Sequence, residues 1–301
     1  MNSYLNYKAF NAWPLFWLLS GILCAFMGVA MAGTDLGTAE GVSAMIGYSV
    51  RWAVPFIFIV VATSALQTLF PGPIPRWLLK NRKYIGLVFA VAMAWQGLFI
   101  ALMSNFHRDY YYEEVFYLRD ELEGSTGYLF LIAMVITSFD FGRRWLNARQ
   151  WRLLHLCGLY FLWAYPFSVY WWSLFYYRQP DPIDYPFYAA GFAAFALRIA
   201  AWGKRRRRRA ERAGAASRPS VPMQTLGGSL IALGLLAAVT GAYWQEPVTN
   251  FLLTPAWSES LSMWLPFWPF EPFLPLAVLG LGTWCLTRRQ VAGVVPAAAA
   301  S

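Results

Sequence analysis

Eight stretches of apolar sequence, each broken off by charge or proline, constrain this chain more than any other feature. They lie at 13–31, 51–70, 84–105, 126–141, 153–176, 185–202, 226–243 and 273–286. About 20 mainly apolar residues cross a bilayer as a helix, which satisfies its own backbone hydrogen bonds in hydrocarbon. The expected fold class is an all-α polytopic membrane protein. Composition agrees, with 58% hydrophobic and 13% charged residues against about 25% charged in soluble proteins. Pro14 opens the first run, where proline is tolerated, and Pro71, Pro73 and Pro75 end the second. The first run is long and lacks a basic lead or an Ala-x-Ala end, so a cleaved signal peptide is not expected.

The charges alternate in sign from loop to loop. One set holds Arg76, Lys80, Arg82 and Lys83, then Arg143, Arg144, Arg149 and Arg152, then Lys204 to Arg209, Arg212 and Arg218, and last Arg288 and Arg289. The other set holds Asp35, Glu40, Asp109, Glu113, Glu114, Asp120, Glu121, Glu123, Asp181, Asp184, Glu246 and Glu259, with Arg108, Arg119 and Arg178 as a basic minority. The positive-inside rule places the basic set in the cytoplasm. The chain is then expected in the bacterial inner (cytoplasmic) membrane, multi-pass, with both termini cytoplasmic. The net charge of +9 is spent on that face, so nucleic acid is not an expected partner. The Arg205–Arg209 run admits a lipid-headgroup reading, but its place behind a span reads first as a stop-transfer anchor. Residues 210–222 read as a cytoplasmic linker. It divides a six-span core (1–209) from a two-span C-terminal hairpin and tail (223–301).

Several motifs occur together in the core. Arg82-Lys83-Tyr84-Ile85-Gly86-Leu87 opens the third run, Gly127 sits in the fourth, and Ile136-Thr137-Ser138-Phe139 closes it. Arg143-Arg144-Trp145-Leu146 precedes Trp151-Arg152-Leu153-Leu154-His155, with Gly158-Leu159-Tyr160 behind. In these residues the stretches 48–102 and 125–176 resemble the ferric-reductase-like transmembrane domain. They are most similar to the haem-binding membrane subunit of the bacterial methionine-sulfoxide-reductase system. The resemblance implies a six-helix bundle, followed here by two further spans. It also implies b-type haem held by histidines on the third and fifth spans, and electrons moved across the membrane. It places those ligand positions on Gln96, His155 and Ser168, so only His155 supplies an imidazole. Arg51, at the start of the second span, stands where a basic residue would meet a haem propionate, or it snorkels to the headgroups.

His107 and His155 are the chain's two histidines. They close the third span and open the fifth on opposite faces, roughly 30 Å apart, and one iron does not bridge that distance. Haem or another metal would therefore depend on His155 alone, with methionine, water or a partner chain as second ligand. The plainer expectation for His155 is an interfacial residue bonded to a loop carbonyl, and for His107 a solvated loop residue. Gln96 is expected to bond a neighbouring helix, Arg198 to snorkel towards the basic face, Asp140 to pair with Arg143 or Arg144, and Glu271 to lie in an outer interfacial segment. Tyr110 to Tyr112, Tyr176 and Tyr177 read as an aromatic belt. Cys24, Cys157 and Cys285 read as small core residues.

No dinucleotide loop, P-loop, HExxH or G-x-S-x-G motif occurs, so no catalytic residues are assigned. An enzymatic role is limited to a redox membrane subunit without its own flavin or nicotinamide domain. Two functions compete. The first is a divergent relative without bis-histidine haem or any other cofactor, acting as a membrane scaffold or interaction subunit. The second is a transmembrane electron-transfer subunit with an atypical haem b or a quinone site, fed by a separate cytoplasmic reductase. The expected partners are the lipid bilayer and either a membrane protein or that reductase.

Overall fold

The computed structural model describes residues 4–212 and 219–288; Arg218 and Arg289 lie outside them. Among the described residues the protein is helical, with no strands. Ten helices matter here: α1 (Ala12–Ala32), α2 (Ala39–Leu69), α3 (Pro73–Phe106), α4 (Leu118–Ile136), α5 (Ala148–Trp172), α6 (Asp184–Arg212), α7 (Val221–Val239), α8 (Gly241–Leu253), α9 (Ala256–Trp264) and α10 (Leu274–Thr287). Five segments are long and apolar enough to cross a membrane: α1, α2, α3, α5 with its extension to Tyr177, and α7. Large apolar side chains such as Val29, Leu129 and Leu236 stay exposed on their helices. Bare apolar faces of this extent suit contact with lipid, so the chain is an all-α, multi-pass membrane protein.

Helix ends depart from the apolar runs because a helix stops at a cap or a competing hydrogen bond, not where hydropathy falls. The second helix begins at Ala39, not near Arg51, because the Thr38 side chain accepts from the Gly41 N–H and caps it. The third begins at Pro73, not near Tyr84; proline suits the first turn. Its early turns dock on the N-terminal segment, where Trp77 donates to the Phe10 carbonyl at 2.8 Å and Asn81 accepts from the Ala12 N–H at 2.8 Å. Lys80, Arg82 and Lys83 are thus helical residues. The fourth helix spans 118–136, not 126–141. The Thr137 and Ser138 hydroxyls bond back to the carbonyls of Ala133 and Met134 and end it. The sixth continues through the arginine run to Arg212.

Contacts gather the charges at two ends of the bundle. Lys204 and Arg205 donate to Leu69 and Thr68 at the end of α2, and Arg206 and Arg288 share the Trp284 ring. At the other end Arg51 pairs with Asp181 (2.6 Å) and Arg119 with Glu123 (3.2 Å). The C-terminal helices pack against the rest. Gly227 and Gly282 bring α7 and α10 together, a Cβ on either meeting the other's carbonyl oxygen at 2.9 or 2.7 Å. Gly203 brings α6 onto Thr283 of α10. Glycines at crossings let helix backbones approach this closely.

Candidate functional site

The helices α2 and α3 pack closely along their length, but α4 stands off from α3. The fourth packs more tightly on α5 than on α3. Gly158 allows that contact, since a Cβ there would lie 2.5 Å from the Met134 sulfur. Across the gap Tyr128 acts as a strut, its hydroxyl 3.0 Å from the Met93 carbonyl and 3.2 Å from Gln96 Oε1. Two cavities of about 440 and 420 Å³ result, one at the basic end and one at the acidic end. Phe89, Leu131 and Leu162 border both and form the partition between them.

The basic-end cavity gathers Arg82, Lys83 and Gly86 of α3, Thr137, Ser138 and Arg143, Trp151, Arg152 and His155 of α5, and Arg198 of α6. His155 is half-buried. Its Nε2 lies 3.0 Å from the Thr137 hydroxyl, and its ring rests on Trp151 at 4.3 Å between centroids. Trp151 in turn donates to the Thr137 carbonyl at 3.0 Å. The expected loop-carbonyl partner of His155 is therefore a side-chain hydroxyl, available because Thr137 sits in the turn that ends α4. Arg198 does not snorkel outward. It turns into the bundle, donating to the Tyr160 hydroxyl (2.9 Å) and the Val61 carbonyl (3.0 Å). Asp140 is exposed and makes no ion pair among the described residues; Arg143 instead lies over the Trp151 ring and donates to the Leu146 carbonyl.

The acidic-end cavity is lined by Gln96, Tyr128, Tyr165, Tyr111, Asp120, Glu121 and apolar side chains of α2 to α5. Gln96 makes its interhelical bond there. Tyr111 is buried and donates to Glu121, whereas Tyr112, Tyr176 and Tyr177 are exposed. Burial first, then the bond to Glu121, pushes the Tyr111 phenol up to about 12. Glu123 is buried and accepts from both Arg119 and the Phe267 N–H, while Arg119 also donates to the Trp268 carbonyl. These bonds tie α4 to the segment before α10. Glu271 is likewise buried within the protein and accepts from Thr249.

The residues singled out in the sequence do not form one site. Gln96 lines the acidic-end cavity and His155 the basic-end one. Ser168 is buried, borders neither, and donates to the Tyr165 carbonyl one turn back. Arg51 is exposed and held by Asp181 outside both cavities. His107 follows the last residue of α3, whereas Arg82, some 25 residues earlier on that helix, lines the same cavity as His155. Arg82 and His107 thus lie about 37 Å apart along α3 at 1.5 Å per residue, and His155 belongs to the Arg82 end. This donor set does not fit a bis-histidine haem, for glutamine and serine are not haem ligands in the usual sets. Among the described residues no group of His, Cys, Asp and Glu is suited to hold a metal ion. Cys24 and Cys157 are exposed, and of the three cysteines only Cys285 is buried.

Sequence reasoning did not anticipate the convergence of Arg82, Arg143 and Arg198, because it placed the first two in loops and the third at the headgroups. One signal was available: Arg82, Gly86 and Phe89 recur at intervals of four and three, one face of a helix. Comparison with known proteins returns no matching family model, no matching curated protein and no matching solved structure.

Proposed function

We propose that this chain is a divergent ferric-reductase-like protein of the bacterial inner membrane, with six core spans and two added ones. In this reading it carries no bis-histidine haem and serves as a scaffold or interaction subunit, with the basic end and both termini cytoplasmic. One observation carries it. Residues quoted for the resemblance from four separate stretches (Arg82, Lys83 and Gly86; Thr137 and Ser138; Arg143; Trp151, Arg152 and His155) line a single cavity, while the positions assigned to further imidazoles are Gln96 and Ser168, both engaged in hydrogen bonds. An optical spectrum of protein purified from haem-replete cells tests it: no stoichiometric low-spin haem is expected, and one tightly held bis-imidazole haem per chain would overturn it. Reporter fusions after Lys83, Arg149 and Arg209 should read cytoplasmic and those at Glu113 and Asp181 periplasmic. A periplasmic signal at Arg209 reverses the orientation.

A second reading, electron transfer through a haem or quinone on His155, draws on the place of that residue in a cavity wall. Its Nε2 would have to release Thr137 to act as a ligand. His155→Ala should abolish any Soret absorbance if this reading holds, and His107→Ala should leave it intact.

A further inference from the structure

Five cations line the basic-end cavity (Arg82, Lys83, Arg143, Arg152 and Arg198) against one carboxylate, Asp140, and none of them is in an ion pair among the described residues. Four have other contacts. Arg143 and Arg198 hold carbonyls, Arg152 donates to the Ala148 carbonyl, and Lys83 lies over the Phe139 ring at 4.8 Å. Arg82 has no hydrogen-bond or ion-pair partner among the described residues, although it is partly buried in a wall that also holds Arg198. An unpaired guanidinium facing like charge inside a membrane protein is costly, and a ligand with concentrated negative charge removes that cost. Guanidinium groups match phosphate oxygens in pairs of charge-assisted hydrogen bonds.

The rest of the cavity says what else the ligand carries. Its mouth is formed by the exposed Lys83, Asp140 and Arg152, and its floor by the buried, apolar Ile57, Leu87, Phe89, Leu131, Leu159 and Leu162. Charge at the mouth and hydrocarbon beneath is the profile of an amphiphile entering head last. Leu156, exposed on the flank of α5, also lines the cavity and joins it to the lipid-facing surface.

We infer that the basic-end cavity binds the phosphate ester of an anionic lipid, with its headgroup among Arg82, Arg143 and Arg198 and the start of its chain against Phe89 and Leu131. The shared chemistry is a phosphate oxyanion, which inorganic phosphate also offers, and the apolar floor favours the lipid. The inference stands whichever side of the membrane the basic end faces, so it does not depend on the scaffold reading.

The test is native mass spectrometry of the full-length, delipidated chain titrated with phosphatidylglycerol, with phosphatidylcholine, or with phosphatidylglycerol in the presence of inorganic phosphate. One phosphatidylglycerol per chain should be retained in at least about tenfold preference to phosphatidylcholine, and Arg82→Gln should cut that retention about tenfold or more, as loss of a charge-assisted pair implies. Arg207→Gln, on an exposed arginine outside the cavity paired with Glu211, should leave it unchanged and so controls for general attraction of basic surfaces to anionic lipid. Gly86→Phe offers a test without loss of charge: a Cβ at Gly86 meets nothing within 4 Å, so the ring would occupy the cavity and should abolish retention. Equal retention of the two lipids, full retention by Arg82→Gln or by Gly86→Phe, or displacement of the lipid by an equal concentration of inorganic phosphate would each overturn the assignment.

Discussion

The C-terminal seam and the α2–α5 crevice are built from the same kinds of residue and reach opposite results. In the seam aromatic rings pack directly on one another. Trp163 stacks on Phe195 at 4.4 Å and on Phe167 at 4.8 Å, Phe167 stacks on Tyr188, and Phe273 closes against Trp163. Trp163 donates to the Gly191 carbonyl and Tyr188 to the Ala238 carbonyl. Glycines there are spacers of zero width, as at Gly234, where a Cβ would lie 2.8 Å from the Pro275 carbonyl oxygen. In the crevice Gly86 faces open space instead, and aromatic residues act as a strut (Tyr128) and a partition (Phe89). A missing side chain thus draws helices together where backbone lies opposite, and leaves a cavity where the neighbouring helix is held off. The closed side buries its aromatic rings against one another, and the open side keeps two cavities.

The largest effect is expected from forcing the seam open. Gly282→Leu should cost about 3 kcal/mol or more through overpacking, read as a collapse of Tm in detergent, whereas Gly86→Leu on the open side should leave Tm within a few degrees. A fold indifferent to Gly282→Leu would erase the contrast. The bond that ties crevice to seam comes next. Glu123→Ala leaves the Arg119 guanidinium and the Phe267 N–H without their acceptor, at a cost of about 2–3 kcal/mol, and truncation after Arg209 should expose the same face and yield a less stable product. Recovery of a fully stable 1–209 fragment would show that the two parts fold independently, as the linker composition suggests.

Smaller effects fall within the crevice. Tyr128→Phe removes the strut's hydrogen bonds and should cost about 1 kcal/mol, while Arg82→Gln should leave Tm in lipid-free detergent unchanged or raise it, because the side chain has no partner to lose. The smallest effect is one of pH. The Tyr111 phenol is held above its ordinary value, at about 12, so the folded state favours the neutral form. Its contribution is whole below the ordinary value near 10 and is lost as pH rises through about 12. Tyr111→Phe should flatten that alkaline limb of stability and change little at neutral pH.

Much of the architecture was legible in order of residues alone. Helical class and the presence of several runs able to span a bilayer follow from hydropathy, a local property, but of the eight expected runs five become helices long and apolar enough to cross a membrane among the described residues. The interhelical bond of Gln96 was legible too, because a lone amide among apolar residues has nowhere else to satisfy itself. Helix ends were not, since caps such as Thr38 and back-bonding hydroxyls such as Thr137 act where hydropathy is silent. The aims of the charged side chains were legible least. Arg198 and Asp140 each had one obvious destination by sequence and took another, because a guanidinium a few residues inside a helix can reach inward as easily as outward, and only the neighbouring carbonyls of α2 decide. The sequence determined that His107 closes α3, but His155 stands on α5, and its place beside Arg82 in the wall of one cavity came from the packing. That Arg82, Arg143, His155 and Arg198 face one another across a single cavity was decided only by the packing of four helices, since no two neighbours in that set are closer than a dozen residues or so along the chain.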